Sequence, residues 1–342
     1  MQTDRLTRDL LFVLAIAALA VAAWTLSFVL LLAFGGTLLA ILFRHLALIV
    51  SRLTPLPVGA ALALVLLGLL AALATLAILA GPRLAAQAAE LSDSIPRTLM
   101  SIEDRLEDSR WGSWVVEQVQ ETEPVNELNV MGTLGGTMSA ALGALANIVI
   151  VLSVGVFLAL DPALYRRGLL HLVPPAHRDR AREVLDTLGR DLWRWMAGQA
   201  LDMAAVAVLT GLGLWLLGIP LPLLLGLIAG LTNFIPFVGP FLSGIPAVLV
   251  AFAQSPMDAV WTAALFVAIQ QVEGNVLLPM IQSRVASIPP VLILLAVVGA
   301  GILFGMAGVL LATPLLLTAI ILVRMLYVED ALGDDLGDVD QT

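Results

Sequence analysis

The chain has no cysteine and no lysine, and its 17 basic Lys or Arg positions, in 342 residues, are all Arg. Without Cys there is no disulfide, thiolate metal site or thiol nucleophile. Without Lys there is no Schiff-base amine, no pyridoxal-phosphate attachment and no P-loop phosphate cradle. His is also scarce: His45, His171 and His177 are the three, all in charged connecting stretches. Neither an intramembrane metal centre nor a Ser-His-Asp triad is expected, so the chain reads as a non-enzyme with no cofactor. Charge of either sign is sparse, at 13% against 60% hydrophobic residues, with a mean hydropathy of +1.00. A soluble domain carries about 25% charged residues, so this chain cannot cover itself with water-facing groups. The net charge of −9 argues against nucleic acid as a partner. What remains is an all-α polytopic protein whose surroundings are the lipid bilayer.

Apolar blocks occupy residues 10–43, 58–80, 139–160, 200–219, 221–253, 259–279 and 288–327. Arg5 and Arg8 ahead of the first block resemble a secretory signal, but the apolar run continues past Trp24 without a cleavage site, so it reads as a retained span. As one helix this block would extend ~51 Å, beyond the ~30 Å hydrocarbon core. Arg44 and Arg52 follow it, so both ends read as cytoplasmic and the block divides into two short spans near Trp24–Ser27. The last block, punctuated by Gly299, Gly301, Gly305, Gly308 and Pro314, is either strongly kinked or partly re-entrant.

The connections set the orientation. Residues 83–138 hold four Arg against ten Asp and Glu, whereas residues 161–194 hold seven Arg and two His. By the positive-inside rule the first stretch is external and the second cytoplasmic, giving about eight crossings with both termini cytoplasmic in a bacterial inner membrane. The organisation expected is a membrane hairpin and third span (1–81), an external amphipathic helical segment (82–138), and a fourth span with a cytoplasmic interfacial helix (139–199). A C-terminal membrane domain (200–327) and a disordered acidic tail (328–342) complete it. In the external segment Leu84, Ala88, Leu91, Ile95, Leu99, Ile102 and Leu106 recur at helical spacing. Pro96 leaves open one bent helix or two, packed on themselves or joining subunits. Trp193, Trp195 and the nearby Arg residues fit an interfacial helix, and Asn147 an interhelical hydrogen bond.

Two stretches carry candidate chemistry. Asn233, Pro236, Gly239, Pro240 and Pro246 lie in a run whose prolines each remove a helix donor and clash one turn back. Such a backbone must be broken and screened from lipid, and broken intramembrane helices expose carbonyls and helix ends to cargo or ions. The plainer alternative is a structural kink. The second stretch is Gln270-Gln271-Val272-Glu273-Gly274-Asn275, in the last third of an apolar span. Burying an ionised carboxylate at mid-membrane costs at least ~2.5 kcal/mol, which makes Glu273 a candidate coupling residue unless it reaches water at the interface. Gln270 shares its helix face, and Gln271 and Asn275 share another. Asp202, near Gln199 at the start of the fifth block, is either a further coupling residue or a carboxylate complementing a helix N-terminus.

With Trp195-Met196-Ala197-Gly198-Gln199, Ile235-Pro236-Phe237-Val238-Gly239-Pro240, Gln271-Val272-Glu273-Gly274-Asn275, Pro279 and the Gly-rich run to Pro314 in this order, the chain resembles the autoinducer-2 exporter-like permeases. The N-terminal half matches them in layout rather than in motif. The resemblance implies an external helical portion, homo-oligomers and transport. Its cargo would be a small polar solute such as autoinducer-2, or a monovalent cation, sodium or lithium, exchanged for protons. An oligomeric channel or scaffold without a pumping cycle is the alternative.

Overall fold

In lipid the backbone must satisfy its own hydrogen bonds, and the helix is the local way to do so. A computed structural model describes residues 21, 25–107, 130–277, 279 and 289–334, and every regular element among them is helical. The helices are α1 (Ser27–Leu53), α2 (Val58–Glu107), α3 (Val130–Leu160), α4 (Pro162–His171), α5 (Arg178–Leu216), α6 (Pro222–Thr232), α7 (Gly239–Gln254), α8 (Pro256–Val272) and α9 (Pro290–Leu322). A π-helical turn, Glu273–Leu277, follows α8, and a longer one, Val323–Leu332, extends α9. The tail beyond residue 334 and the first half of the leading apolar block lie outside the described residues.

Small residues bring α1 and α3 together. A methyl built on Gly36 would meet the Val154 side chain at 2.5 Å, and one on Gly155 would meet Leu39 Cβ at 2.9 Å, a close approach typical of membrane helices. Ala40, Phe43 and Ala47 of α1 then pack with Ala61 and Leu62 of α2 and Ala159 of α3.

Helix α2 joins the apolar block at residues 58–80 and the start of the segment expected outside without interruption. Its 50 residues make roughly 75 Å of helix, far more than the bilayer core. Of the two arrangements left open around Pro96, one helix is found. Its far part is not packed only on itself: Leu91 reaches the core made by the ends of α5 and α7. Gln87 Oε1 accepts a 2.9 Å bond from Leu224 N–H, one of the free amides at the start of α6.

Helix α5 likewise joins two expected elements. The stretch bearing Trp193 and Trp195 runs on into the fifth span as one 39-residue helix, rather than ending as a separate interfacial helix. Val184, Leu192 and Trp195 pack on Leu38, Leu317, Ile321 and Met325, which gives that end of α5 a buried face. Arg180 clasps the end of α9's extension, bonding Glu329 (2.7 Å), Asp330 (3.1 Å) and the Met325 carbonyl (2.9 Å). The bonds to Glu329, Glu183 and Asp330 hold its guanidinium above the ordinary Arg range.

Two apolar blocks fold back on themselves, the second as the re-entrant alternative allowed for it. Residues 221–253 form a hairpin: Leu221 and Leu225 at the start of α6 share one core with Val250 and Ala251 at the end of α7. Gln254 Nε2 reaches the Gly218 carbonyl at 3.5 Å. The arms have 11 and 16 residues, about 16 and 24 Å, so neither alone crosses a ~30 Å core.

The last apolar block folds back at Gly305, whose φ of 62° and ψ of −144° are non-helical and suit glycine. Residues 300 and 308 would stand about 12 Å apart in a straight helix. Here a Cβ on Gly308 would run into the Ala300 carbonyl, and Val297 packs with Ala312. This second hairpin opens toward the Arg180 end, the first toward the opposite end, and Ile235 at the first tip packs on Val297 and Ala312.

The all-α membrane fold is as expected. Among the described residues four helices are long and apolar enough to cross a membrane, or five with the bent α3–α4 pair. The four include the bent α9, and the first of the expected crossings lies outside the described residues. Gly308→Val should cost about 3 kcal/mol, because backbone cannot give way to the added atoms. A Cβ on Gly299 would meet nothing within 4 Å, so thermal melting in detergent should show Gly299→Val far milder; equal melting would count against the fold-back.

Candidate functional site

The first hairpin is held beside α5 by glycine. A Cβ on Gly226 would stand 2.8 Å from the Ala207 carbonyl oxygen, and one on Gly230 would stand 2.6 Å from that of Met203. Helices this close keep a fixed register, and the next turn beyond Gly230 sets Asn233 opposite Asp202. The hairpin tip then reverses. Ile235 N–H donates to the Thr232 carbonyl (2.9 Å), Val238 N–H to that of Pro236 (2.8 Å) and Gly239 N–H to that of Ile235 (2.9 Å). Phe237 takes the left-handed conformation with φ 64°. Gly239 admits no side chain, since a Cβ would strike the Thr232 carbonyl and come within 2.9 Å of Asn233 Cα. Pro236 lies in the turn, Pro240 in the first turn of α7 and Pro246 within that helix.

The broken backbone therefore satisfies much of itself, and the expected row of free carbonyls facing a pathway is not what the tip offers. The site is built from side chains. Asn233 Nδ2 donates to Asp202 Oδ2 at 2.8 Å and to Glu273 Oε1 at 3.2 Å. Gln270 Nε2 donates to Glu273 Oε2 at 3.3 Å, and Gln199 Nε2 donates to the Asn233 carbonyl at 3.0 Å. Asp202, Asn233 and Glu273 are 3%, 4% and 8% exposed, so one amide holds two buried carboxylates. Asp202 Oδ1 has no hydrogen-bond partner among the described residues. No Lys, Arg or His occurs between Arg194 and Arg284, so the stretch of chain that carries both carboxylates and their amide partners supplies no side-chain cation. Two buried carboxylates in contact with the same group cannot both stay ionised without a compensating proton or cation.

The predicted residues divide cleanly. Asp202 is not at a helix N-terminus, because α5 begins at Arg178, and Glu273 does not reach interfacial water. Gln271 and Asn275 lie on an exposed face, away from the carboxylates, and bond each other at 3.0 Å. A π-helical turn starts at Glu273, a feature frequent at functional sites. Sequence reading missed Gln199 as a partner of Asn233, although its spacing from Asp202 puts both on one helix face. It also missed Thr210 and Ser243, which with Asn233, Gln270 and Glu273 line a cavity of about 10 Å³, room for about one water-sized particle. Thr210 Oγ1 is buried without a hydrogen-bond partner among the described residues.

Larger spaces lie on either side. A cavity of about 570 Å³ among α1, α3, α5 and α9 is lined by Asn147, Trp195, Gln199 and Phe234 with apolar residues. A groove of about 640 Å³ between α7 and α8 reaches Gln270. The amide-and-carboxylate string lies between these two largely apolar spaces, touching the first through Gln199 and the second through Gln270.

A family model described as AI-2E family transporter matches residues 10–327, nearly the whole chain. The chain belongs to the AI-2E transporter family. It is 30% identical over 256 residues to YrrI of Bacillus subtilis, a provisionally named transport protein, covering 72% of this chain and 71% of that one. It is 28% identical to YueF of the same organism, covering 68% and 67%. Similarity to PerM of Escherichia coli, provisionally named a permease, is 28% over 183 residues, covering 50% and 52%. This AI-2E transporter is a multi-pass membrane permease in class.

Proposed function

We propose that the chain is a gradient-driven secondary exporter whose coupling ion is carried by Asp202 and Glu273. The observation that supports this most is the single Asn233 amide shared by the two buried carboxylates. A proton or monovalent cation entering there neutralises charge that no side chain between Arg194 and Arg284 can neutralise, and leaving restores it. Its cargo is either a small polar solute such as autoinducer-2, or a cation, sodium or lithium, exchanged for protons. Export proceeds as the two hairpins shift against each other and open one space, then the other. The Arg-rich end faces the cytoplasm of a bacterial inner membrane, and the chain works as a homo-oligomer.

The test is purified protein in liposomes, with sodium, lithium, proton and autoinducer-2 gradients imposed in each direction. Flux of one species against its own gradient, driven by another, is the expected result. Flux that only follows each species' own gradient would replace the exporter with the channel reading. Orientation is checked separately. The chain has no native Cys, so Ser92→Cys and Ala176→Cys, both at exposed positions, should label from opposite sides of the membrane, Ala176→Cys from within. Labelling from one side would remove the proposed topology.

A further inference from the structure

Helix α4 leaves α3 at 89° to its last turns, Leu145–Leu160. The break is built locally: Asp161 accepts from Leu164 N–H at 3.0 Å and Pro162 opens the helix. If α3 crosses the bilayer, α4 lies along its surface. Leu164, Tyr165, Leu169 and Leu172 are exposed and fall on one face at helical spacing, while Leu170 turns inward and is buried. This is the pattern of an interfacial helix with its apolar face against acyl chains.

The basic residues around α4 fall into two groups. Arg166 pairs with Asp186 at 2.7 Å, Arg180 with Glu183, Glu329 and Asp330, Arg182 with Asp179, and Arg190 and Arg194 with Asp191. Arg167 and Arg178 have no carboxylate partner among the described residues. Each is held instead through Nε by a backbone carbonyl, Arg167 by Ala163 and Arg178 by Val173, both at 3.1 Å. Fixing Nε leaves the terminal guanidinium nitrogens free for an anion, and a planar guanidinium suits phosphate oxygens. Arg167 borders the exposed apolar face of α4, and Arg178 is tied to the residue just past Leu172.

We propose that α4 and the turn after it bind an anionic phospholipid. The Leu164, Tyr165, Leu169 and Leu172 face rests on its acyl region, and Arg167 and Arg178 hold its headgroup phosphate. Apolar contact and charge then select the same partner, a negatively charged bilayer surface rather than a zwitterionic one. Lipid held there braces the joint between α3 and α5, and so the end of α5 that leads to Asp202. The inference does not depend on the identity of the transported species.

The test uses delipidated full-length protein in mild detergent, offered equal phosphatidylglycerol and phosphatidylcholine and read by native mass spectrometry. Wild type should retain phosphatidylglycerol preferentially. Arg167→Gln and Arg178→Gln should each cut that preference about fivefold, and the pair by roughly 25-fold. Arg182→Gln, which removes an already paired guanidinium, should leave it nearly unchanged. Should the double variant fail to fold, wild type alone still decides: raising salt from about 50 to about 500 mM should weaken the preference. An unchanged preference in the double variant, an equal loss in Arg182→Gln, or insensitivity to salt would overturn the proposal. So would displacement of the lipid by millimolar inorganic phosphate, which would make this a site for a soluble anion.

Discussion

Glu273→Gln should lower gradient-driven flux through reconstituted protein to the level of protein-free liposomes while leaving the protein folded. The substitution keeps side-chain length, and the Gln carbonyl oxygen can still accept from Asn233, whose Nδ2 now stands 3.2 Å from Glu273 Oε1. What it removes is the ability to change charge. It also removes one of two carboxylates sharing a single amide, which relieves repulsion, so melting temperature should hold or rise. Glu273→Asp keeps the charge and shortens the reach, so the 3.3 Å bond from Gln270 and the bond to Asn233 cannot both be kept. A reduced rate with an altered pH dependence is expected. Flux in a well-folded Glu273→Gln protein that matches wild type in rate and pH dependence would remove Glu273 from the coupling step. Gln271→Ala serves as the contrast, because that residue faces away from the carboxylates, and its flux should stay near wild type.

The membrane class, the helical fold and the broken segment at Asn233–Gly239 could be read from composition and proline placement, because those follow from local chemistry. Glu273 could be read for the same reason: a carboxylate in an apolar run is costly wherever it lies. Pairing could not be read so directly. Asp202 and Glu273 are far apart in sequence and meet because Gly226 and Gly230 fix the register between α6 and α5. The four-residue spacing of those glycines was a legible signal for a close helix crossing, but their partners on α5 were not. Fold-back was harder still. An apolar block of 33 or more residues is equally a hairpin or a crossing with slack, since burial in lipid rewards both. Only the left-handed turn at Phe237 and the non-helical Gly305 decide it, and of these only the glycine announces itself. The continuity of α2 and of α5 across the expected segment boundaries was not legible for the opposite reason: charge patterning changes along the chain there, although the helical backbone does not.

Asn233→Leu should have the largest effect on stability of any single change at the site, and a second substitution should partly reverse it. Leu removes the one donor shared by Asp202 and Glu273 without shortening the side chain enough to admit water; Asn233 is 4% exposed. Both carboxylates are then left buried and facing apolar carbon, a loss of about 3–5 kcal/mol when a buried charged partner disappears. The Gln199 bond to the residue-233 backbone carbonyl survives, so the tip keeps its register and the loss reports the amide alone. Adding Glu273→Gln to Asn233→Leu withdraws one of the stranded carboxylates and supplies a new amide donor, within reach of Asp202's buried oxygens. The pair should therefore be more stable than the sum of the single changes by about 1–3 kcal/mol, as groups within one network are. Thermal melting or graded denaturation in detergent of wild type, both single variants and the double variant completes the cycle. Strict additivity would mean that Asn233 does not bridge the two carboxylates, and the coupling site would have to be sought elsewhere on these helices.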